Sequence, residues 1–343
     1  MQAVILAAGK STRTYPLTIT RPKPLLKVAN KTLLEHNLDN LKGVVDEVII
    51  VVGYKKKQIK KYFGNKYENI MLRYVEQKQQ LGTGHALLIV EKYIKNEFIS
   101  LHGDDIYSKE DFRNITKNKY SILVGETENP SSFGVIIERH GFLADLVEKP
   151  KKFISNLTNT GLYKFDKRIF SIIKELEKSE RGEYELTDAI KFLSKEKKIH
   201  CIRSKWWLPI AYPWDLLKAD KILRKNKSLI GKNTKIYSKI TNSTVGNNCI
   251  IKGNIRNSLI MDNSVIDENS AVEDSVIGED VYFKGKIFSK NKAFSFVKNE
   301  KINSGRFGAV IGDNSKLVNV TLNAGCKISP YSKIKNKTIQ HDV

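Results

Sequence analysis

An apolar run, Ala3 to Ala7, leads into Gly9-Lys10-Ser11-Thr12-Arg13, and cations follow at Arg21, Lys23 and Lys27. This grouping suits an anion. A strand ending in small residues, here with Leu6 and Ala8 at its close, presents consecutive backbone N–H groups, and a small-residue loop lets them approach a phosphate that a bulky side chain would hold off. Arg13 offers a planar fork of donors and Lys23 a compact charge, so the pair can grip a triphosphate and stabilise charge that develops when it is attacked. The same residues also suit an ordinary strand, turn and helix in a basic protein, because one glycine-bearing turn carries little by itself.

Further polar groups recur at the ends of candidate strands. Glu76 to His85 contains amides, Gln77 among them, able to pair with the edge of a base, and Gly82 permits backbone contact; a plain surface loop is the alternative. Phe98 to Leu101 runs into His102-Gly103-Asp104-Asp105, which sets a carboxylate where Mg²⁺ on phosphates would sit; a helix cap would look the same. Phe133-Gly134-Val135, Glu148-Lys149-Pro150 and Asn159-Thr160-Gly161 read singly as loops and together as the lining of a sugar pocket.

These groups need a scaffold, and length and composition bound it. The 343 residues exceed one typical domain, so two are expected. No run of about 18 apolar residues occurs, and Met1 leads straight into a strand, so neither a membrane span nor a secretory leader is expected and a cytoplasmic location is. Cys201, Cys249 and Cys326 are far apart, which argues against a zinc site or a disulfide framework. The net charge of +22 invites nucleic acid, yet the basic residues are spread along the chain, mostly as lysine, with no aromatic-interleaved basic motif. A solvated lysine surface is the expected meaning, with no nucleic-acid partner.

Residues 1–226 alternate strand-like segments (Val4 to Ala7, Glu47 to Val52, Met71 to Val75, Phe98 to Leu101, Ser121 to Gly125) with helix-like ones, and Thr32-Leu33-Leu34-Glu35 is a capping-box sequence that opens a helix. The expectation is a Rossmann-like, doubly wound, mostly parallel α/β sheet, whose ligands bind at the carboxyl ends of its strands. From 227 to 343 the pattern changes. Aliphatic residues recur every six positions, at Ile230 and Ile236, Val245 and Ile251, Ile260, Ile266 and Val272, and Ile277 and Phe283. Small residues stand four places on at Thr234, Cys249, Ser264 and Ser270. After an irregular stretch from Phe288 to Phe307 the period resumes at Ile311 and Leu317, then Leu322, Ile328 and Ile334. This predicts a left-handed parallel β-helix of hexapeptide turns, since an alternating sandwich would hold a period of two.

Taken together, Leu6 to Arg13, Pro22-Lys23-Pro24-Leu25 and the Gln-Leu-Gly-Thr-Gly-His-Ala stretch from Gln80 resemble the sugar-1-phosphate nucleotidylyltransferases, of the glucose-1-phosphate thymidylyltransferase and N-acetylglucosamine-1-phosphate uridylyltransferase type. The resemblance spans nearly the whole chain. It implies that a sugar 1-phosphate attacks the α-phosphorus of UTP or dTTP and releases pyrophosphate. Leu6, Ala8, Gly9, Ser11, Thr12, Gln77, Gly82 and Thr83 would then bind nucleotide, with Arg13, Lys23 and Asp104 catalytic and Asp104 the Mg²⁺ ligand. Gly134, Glu148, Lys149 and Asn159 would hold the sugar and its phosphate. Two positions depart from the family pattern: Ser11 replaces a glycine, and Pro209 stands where a second metal ligand is usual. Pro209 favours the alternative of a catalytically impaired, sugar-nucleotide-binding regulatory relative. A bifunctional enzyme with acetyltransferase activity is less favoured, because Glu268 and Ala271 stand where its histidine and tyrosine would fall and no histidine lies between His200 and His341. The repeat region is then expected to serve assembly as a homotrimer.

Overall fold

The structure, a computed structural model, describes residues 1–127 and 129–343. By packing, the chain forms two compact units interleaved in sequence: residues 1–10 with 34–209, and residues 11–33 with 210–343.

The first unit is built on a ten-stranded sheet. Its centre is the parallel run Phe98–His102, Gln2–Ala7, Glu47–Val52 and Ile70–Glu76, in register from Gln2 opposite Glu47 and Phe98 to Leu6 opposite Val51 and His102. Val4, Ile49, Val51 and Phe98 pack with helices Thr83–Leu88, Arg168–Glu175 and Leu186–Glu196. Ala3 and Ile5 point the other way and are equally buried, so the Gln2–Ala7 strand is covered on both faces, as its unbroken apolar run requires. The expected strands all form, and helix Leu33–Leu41 starts directly after Thr32.

The sheet is mixed, a correction to the mostly parallel expectation. Leu157–Phe165 lies antiparallel between Phe98–His102 and Ser121–Glu126. It follows an antiparallel hairpin, Gly134–Arg139 with Phe142–Glu148, and only eight residues separate Glu148 from Leu157 with no helix among them. A parallel return needs a crossover of a dozen or more residues, usually helical.

In the second unit, three ladders of parallel strands stack turn upon turn. One ladder aligns Val245, Ile260, Ile277, Ile311 and Ile328, the next Ile251, Ile266, Phe283 and Leu317, and the third Ile255, Val272, Ile287 and Leu322. All are at most 1% exposed and form one core. Ile230 and Ile236, on the first turn, are 44% and 37% exposed because no turn covers them on one side. The small corner residues bond between turns: Cys249 N–H donates to the Thr234 hydroxyl (3.0 Å), and Val281 N–H to that of Ser264 (3.1 Å). Before each corner the backbone turns left-handed at Asn233, Asn248, Asn263, Asp280 and Asn314, with φ between 56° and 60°. The irregular stretch is a β-hairpin, Lys290–Val297 with Glu300–Phe307.

The outward residues of the first ladder would ordinarily be polar. Thr244, Leu259, Val276 and Val310 are instead 0–1% exposed. Helix Pro213–Leu223 packs on that side, with the Trp214 ring 5.7 Å from Phe307. Residues 29 and 30 also reach it: Ala29 N–H donates to Asp220 (2.8 Å), which pairs with Arg224, and the Asn30 amide donates to the Val245 carbonyl (3.1 Å). No helix among the described residues is long and apolar enough to cross a membrane.

Candidate active site

In the first unit, the end of strand Gln2–Ala7, just before Gly9, and the acidic strand end lie side by side. Gly103 N–H donates to the Leu6 carbonyl (2.9 Å), and a side chain on Gly103 would lie 2.8 Å from Ile5, so only glycine brings this turn so close. Asp104, half-buried, comes next. Asp105 turns inward at 8% exposure; its carboxylate accepts from the Trp207 indole (3.0 Å) and its carbonyl from Asn37 (2.7 Å). These bonds commit it to packing; it lies in the turn after Phe98–His102, so the bonds and not strand alternation set its direction.

Ala8 carbonyl accepts from Tyr54 N–H (3.0 Å) and from the Gln80 amide (2.9 Å), which ties the loop down just before Gly9. No neighbour would meet a side chain at Gly9, so nothing within the chain demands glycine there.

The segment after Ile70–Glu76 is equally fixed. Gln77 is buried and its amide donates to the Gly82 carbonyl (3.0 Å) and sits 3.1 Å from His85 Nδ1. Burial lowers the His85 pKa, which keeps the ring neutral and able to accept. Gly82, at φ 95°, and Gly84 lie against the Tyr184 carbonyl, which accepts Gly84 N–H (2.7 Å), while the Thr83 hydroxyl accepts Leu186 N–H (3.1 Å). Residues 183–186 are therefore a strap that sequence reasoning missed. Its signal was a polar Glu-Tyr-Glu-Leu-Thr-Asp start to a helix.

Gly134, Glu148 and Asn159 come together. Gly134 pairs with Glu148 across the hairpin, and a side chain on it would lie 3.1 Å from the Glu148 carboxylate and 3.6 Å from Asn159. Burial lifts the Glu148 carboxyl above its usual range despite Lys149 nearby. Asn159 is mostly committed: its oxygen accepts Gly161 N–H (3.0 Å) and its amide donates to Tyr163 (2.7 Å). Lys149 is exposed, its Nζ 3.9 Å from Glu148. Phe133 packs edge-on to Trp207, ring centres 5.1 Å apart.

In the second unit, Ser11 adopts φ 51°, ψ 52°, a left-handed conformation that explains why a glycine suits this position. Its carbonyl accepts from the Thr14 and Thr18 hydroxyls, both at 2.8 Å. Thr12 opens a short 3₁₀ turn, and the exposed Arg13 guanidinium lies 5.9 Å from the centre of the Tyr212 ring. Lys23, 4% exposed, begins the turn Lys23–Leu25. Asp215 caps helix Pro213–Leu223, accepting from Ala211 and Tyr212 N–H at 2.9 and 2.8 Å. Burial raises its pKa although Lys23 lies close enough to oppose this.

Among the described residues no group of three or more His, Cys, Asp or Glu side chains is arranged to hold a metal. The donor set excludes an all-protein cage. A Mg²⁺ that keeps waters and takes phosphate oxygens needs only one or two carboxylates, a requirement the half-buried Asp104 side chain fits.

The family described as "Nucleotidyl transferase" matches residues 2–226, and that described as "GlmU-like, C-terminal hexapeptide" matches residues 227–288. The chain is 41% identical over 258 residues to the bifunctional protein GlmU of Methanocaldococcus jannaschii, an alignment covering 74% of this chain and 60% of that protein. It is 36% identical to the protein of the same name from Methanococcus aeolicus, over 100% of this chain and 95% of that one. The chain thus spans about 60% of the length of several relatives it matches. Among solved structures, a putative glucose-1-phosphate thymidylyltransferase from Bacillus anthracis, in complex with a sucrose, superposes with a TM-score of 0.60 at 28% identity, over 65% of this chain and 95% of that one. With its first 226 residues matched by one family and the hexapeptide region by the other, the chain belongs to the nucleotidyl transferase family, of the sugar-1-phosphate nucleotidylyltransferase kind, with a GlmU-like hexapeptide region behind it.

Proposed function

We propose that this protein is a sugar-1-phosphate nucleotidylyltransferase, joining UTP or dTTP to glucose 1-phosphate or N-acetylglucosamine 1-phosphate with release of pyrophosphate. The observation that carries this reading is the 2.9 Å bond from Gly103 to Leu6, which sets Asp104 beside the entry to the glycine loop. The reacting oxygen of a sugar phosphate is already an anion, so the work reduces to positioning and charge neutralisation. Backbone N–H groups of Ala8, Gly9, Ser11 and Thr12 cradle phosphate, Arg13 holds the pyrophosphate end, and Lys23 meets the α-phosphate or the incoming sugar phosphate. Leu6, Gln77, Gly82 and Thr83 shape the base site, Gln77 chiefly by bracing Gly82. Gly134, Glu148, Lys149 and Asn159 hold the sugar and its phosphate. Asp104 would hold Mg²⁺, which when bound neutralises phosphate charge.

Residues 1–226 would form the inherited catalytic module, and 227–343 a left-handed β-helix that assembles as a homotrimer. Free, scattered cysteines and a nucleotide substrate support a cytoplasmic setting. A second reading, a regulatory relative that binds sugar nucleotide, rests on Pro209, whose side chain offers no oxygen where the family places a second metal ligand. The decisive assay is pyrophosphate release with Mg²⁺ across a panel of nucleoside triphosphates and sugar 1-phosphates. Turnover with one pair supports the enzyme; nucleotide binding without turnover on any pair favours the regulatory reading.

A further inference from the structure

The second unit contains a charged row that assembly alone does not account for. Asp262, Glu279 and Asp313 each stand two residues beyond an inward aliphatic of the first ladder, after Ile260, Ile277 and Ile311, so they stack on three successive turns. Like charges on adjacent strands oppose one another, so such a row needs cations. They come from the segment around Lys23. Arg21 bridges Glu279 (2.5 Å) and Asp313 (2.6 Å), and Lys27 bridges Asp262 (2.5 Å) and Glu279 (3.5 Å). The Thr20 hydroxyl also donates to Asp313.

The acids are themselves held in place. Asp313 accepts Glu279 N–H (2.8 Å) and Asp262 accepts Asn247 N–H (2.9 Å), each reaching back across the preceding turn over a glycine, Gly278 or Gly246, whose side chain would block it. Side-chain exposure falls from 22% at Glu279 to 2% at Asp313. Water screens these pairs far less than surface ones. Between the two cations lies the turn Lys23–Leu25, closed by Leu25 N–H to Pro22 (3.0 Å) and Leu26 N–H to Lys23 (2.9 Å).

We propose that the Asp262, Glu279 and Asp313 row is a positioning device for the transfer reaction: by gripping Arg21 and Lys27 it fixes the turn that presents Lys23, so the hexapeptide coil takes part in phosphate chemistry as well as in assembly. This rests on the reading of Lys23 as a phosphate-contacting residue. Glu279, shared by both cations, couples the two ends of the grip.

The test compares the full-length protein with Glu279→Gln/Asp313→Asn. Amide hydrogen exchange in residues 20–28 should accelerate at least about tenfold while the Phe98–His102 strand is unchanged. In the pyrophosphate assay kcat should fall about tenfold or more, with KM for nucleotide changing less than about threefold, because small misplacements of a catalytic group are costly in rate. Added to Lys23→Ala, the same pair should lower kcat less than about twofold further, since groups acting through one residue are not additive. Equal losses in both backgrounds, or unchanged exchange, would overturn the proposal. If the pair does not fold, Lys27→Gln, which unloads Asp262, replaces it with the same expectations. Exchange needs no turnover, so a chain inactive on every substrate pair defeats the enzymatic reading while faster exchange still upholds the grip and unchanged exchange still defeats it.

Discussion

Ser11 holds a backbone conformation that costs a non-glycine residue about 1–2 kcal/mol, and the hydroxyls of Thr14 and Thr18 on its carbonyl supply the compensation. The chemistry of the loop then depends on its cations. Arg13→Ala or Lys23→Ala should lower turnover at least about a hundredfold, as expected when a preorganised charge donor is removed; unchanged pyrophosphate release in both variants would reject their assignment. Pro209→Asp should reduce the Mg²⁺ concentration needed for half-maximal rate, or raise the rate, if one carboxylate underfills the metal's shell. Burial pushes the Cys201 thiol up to about 12 and those of Cys249 and Cys326 up to about 11, so at pH 8 iodoacetamide should label none of them until the chain is unfolded. Mass spectrometry of native and denatured samples checks this. Short-range motifs such as Gly9 to Arg13 were legible because residue type and spacing act together within a few positions. The Tyr184 strap under Gly82 was not: the polar Glu-Tyr-Glu-Leu-Thr-Asp run marks a helix start, but the contact is a backbone carbonyl about a hundred residues away in sequence, and that run does not name its partner.

At the level of elements, one turn of the coil behaves as a packed slice. Ile260→Ala should lower stability by about 2–5 kcal/mol, the range for emptying a fully buried aliphatic site, read as a fall in the denaturant midpoint. Asn263→Ala should lose about 1 kcal/mol or more through its left-handed corner and the bond it accepts from Asn248 (3.1 Å). The six-residue period was readable because each face of the coil repeats one inward position. The mixed sheet was not, since Gly134–Arg139 and Phe142–Glu148 carry functional-looking polar residues at their ends, which made them resemble loops. Their turn, His140-Gly141, has positive φ at both residues, the mark of a tight hairpin that a His-Gly pair signals only weakly.

For the whole molecule, the deeper division is between residues 1–10 with 34–209 and residues 11–33 with 210–343. Deleting 227–343 would leave residues 11–33 without the carboxylates that grip them, so a 1–226 fragment should be inactive as well as unassembled. Sedimentation and the pyrophosphate assay together test that. The grip also sets a pH dependence. Burial alone would raise the Asp262 carboxyl, but its bonds from Lys27 and Asn247 outweigh this and leave it below its usual range. Its stabilisation is therefore complete above the ordinary value of about 4 and is lost as pH falls through the depressed one. The difference in melting temperature between wild type and Lys27→Gln should accordingly narrow towards zero in acid below about pH 4.

The pair Arg21 and Asp313 joins residues 292 apart in sequence. At roughly 5–20 residues per second, synthesis needs about 15 to 60 s to travel from one to the other. The loop that would grip phosphate is thus translated well before the carboxylates that secure it. A ribosome-bound chain should stay inactive, and open to protease between residues 11 and 33, until the turn that carries Asp313 has emerged.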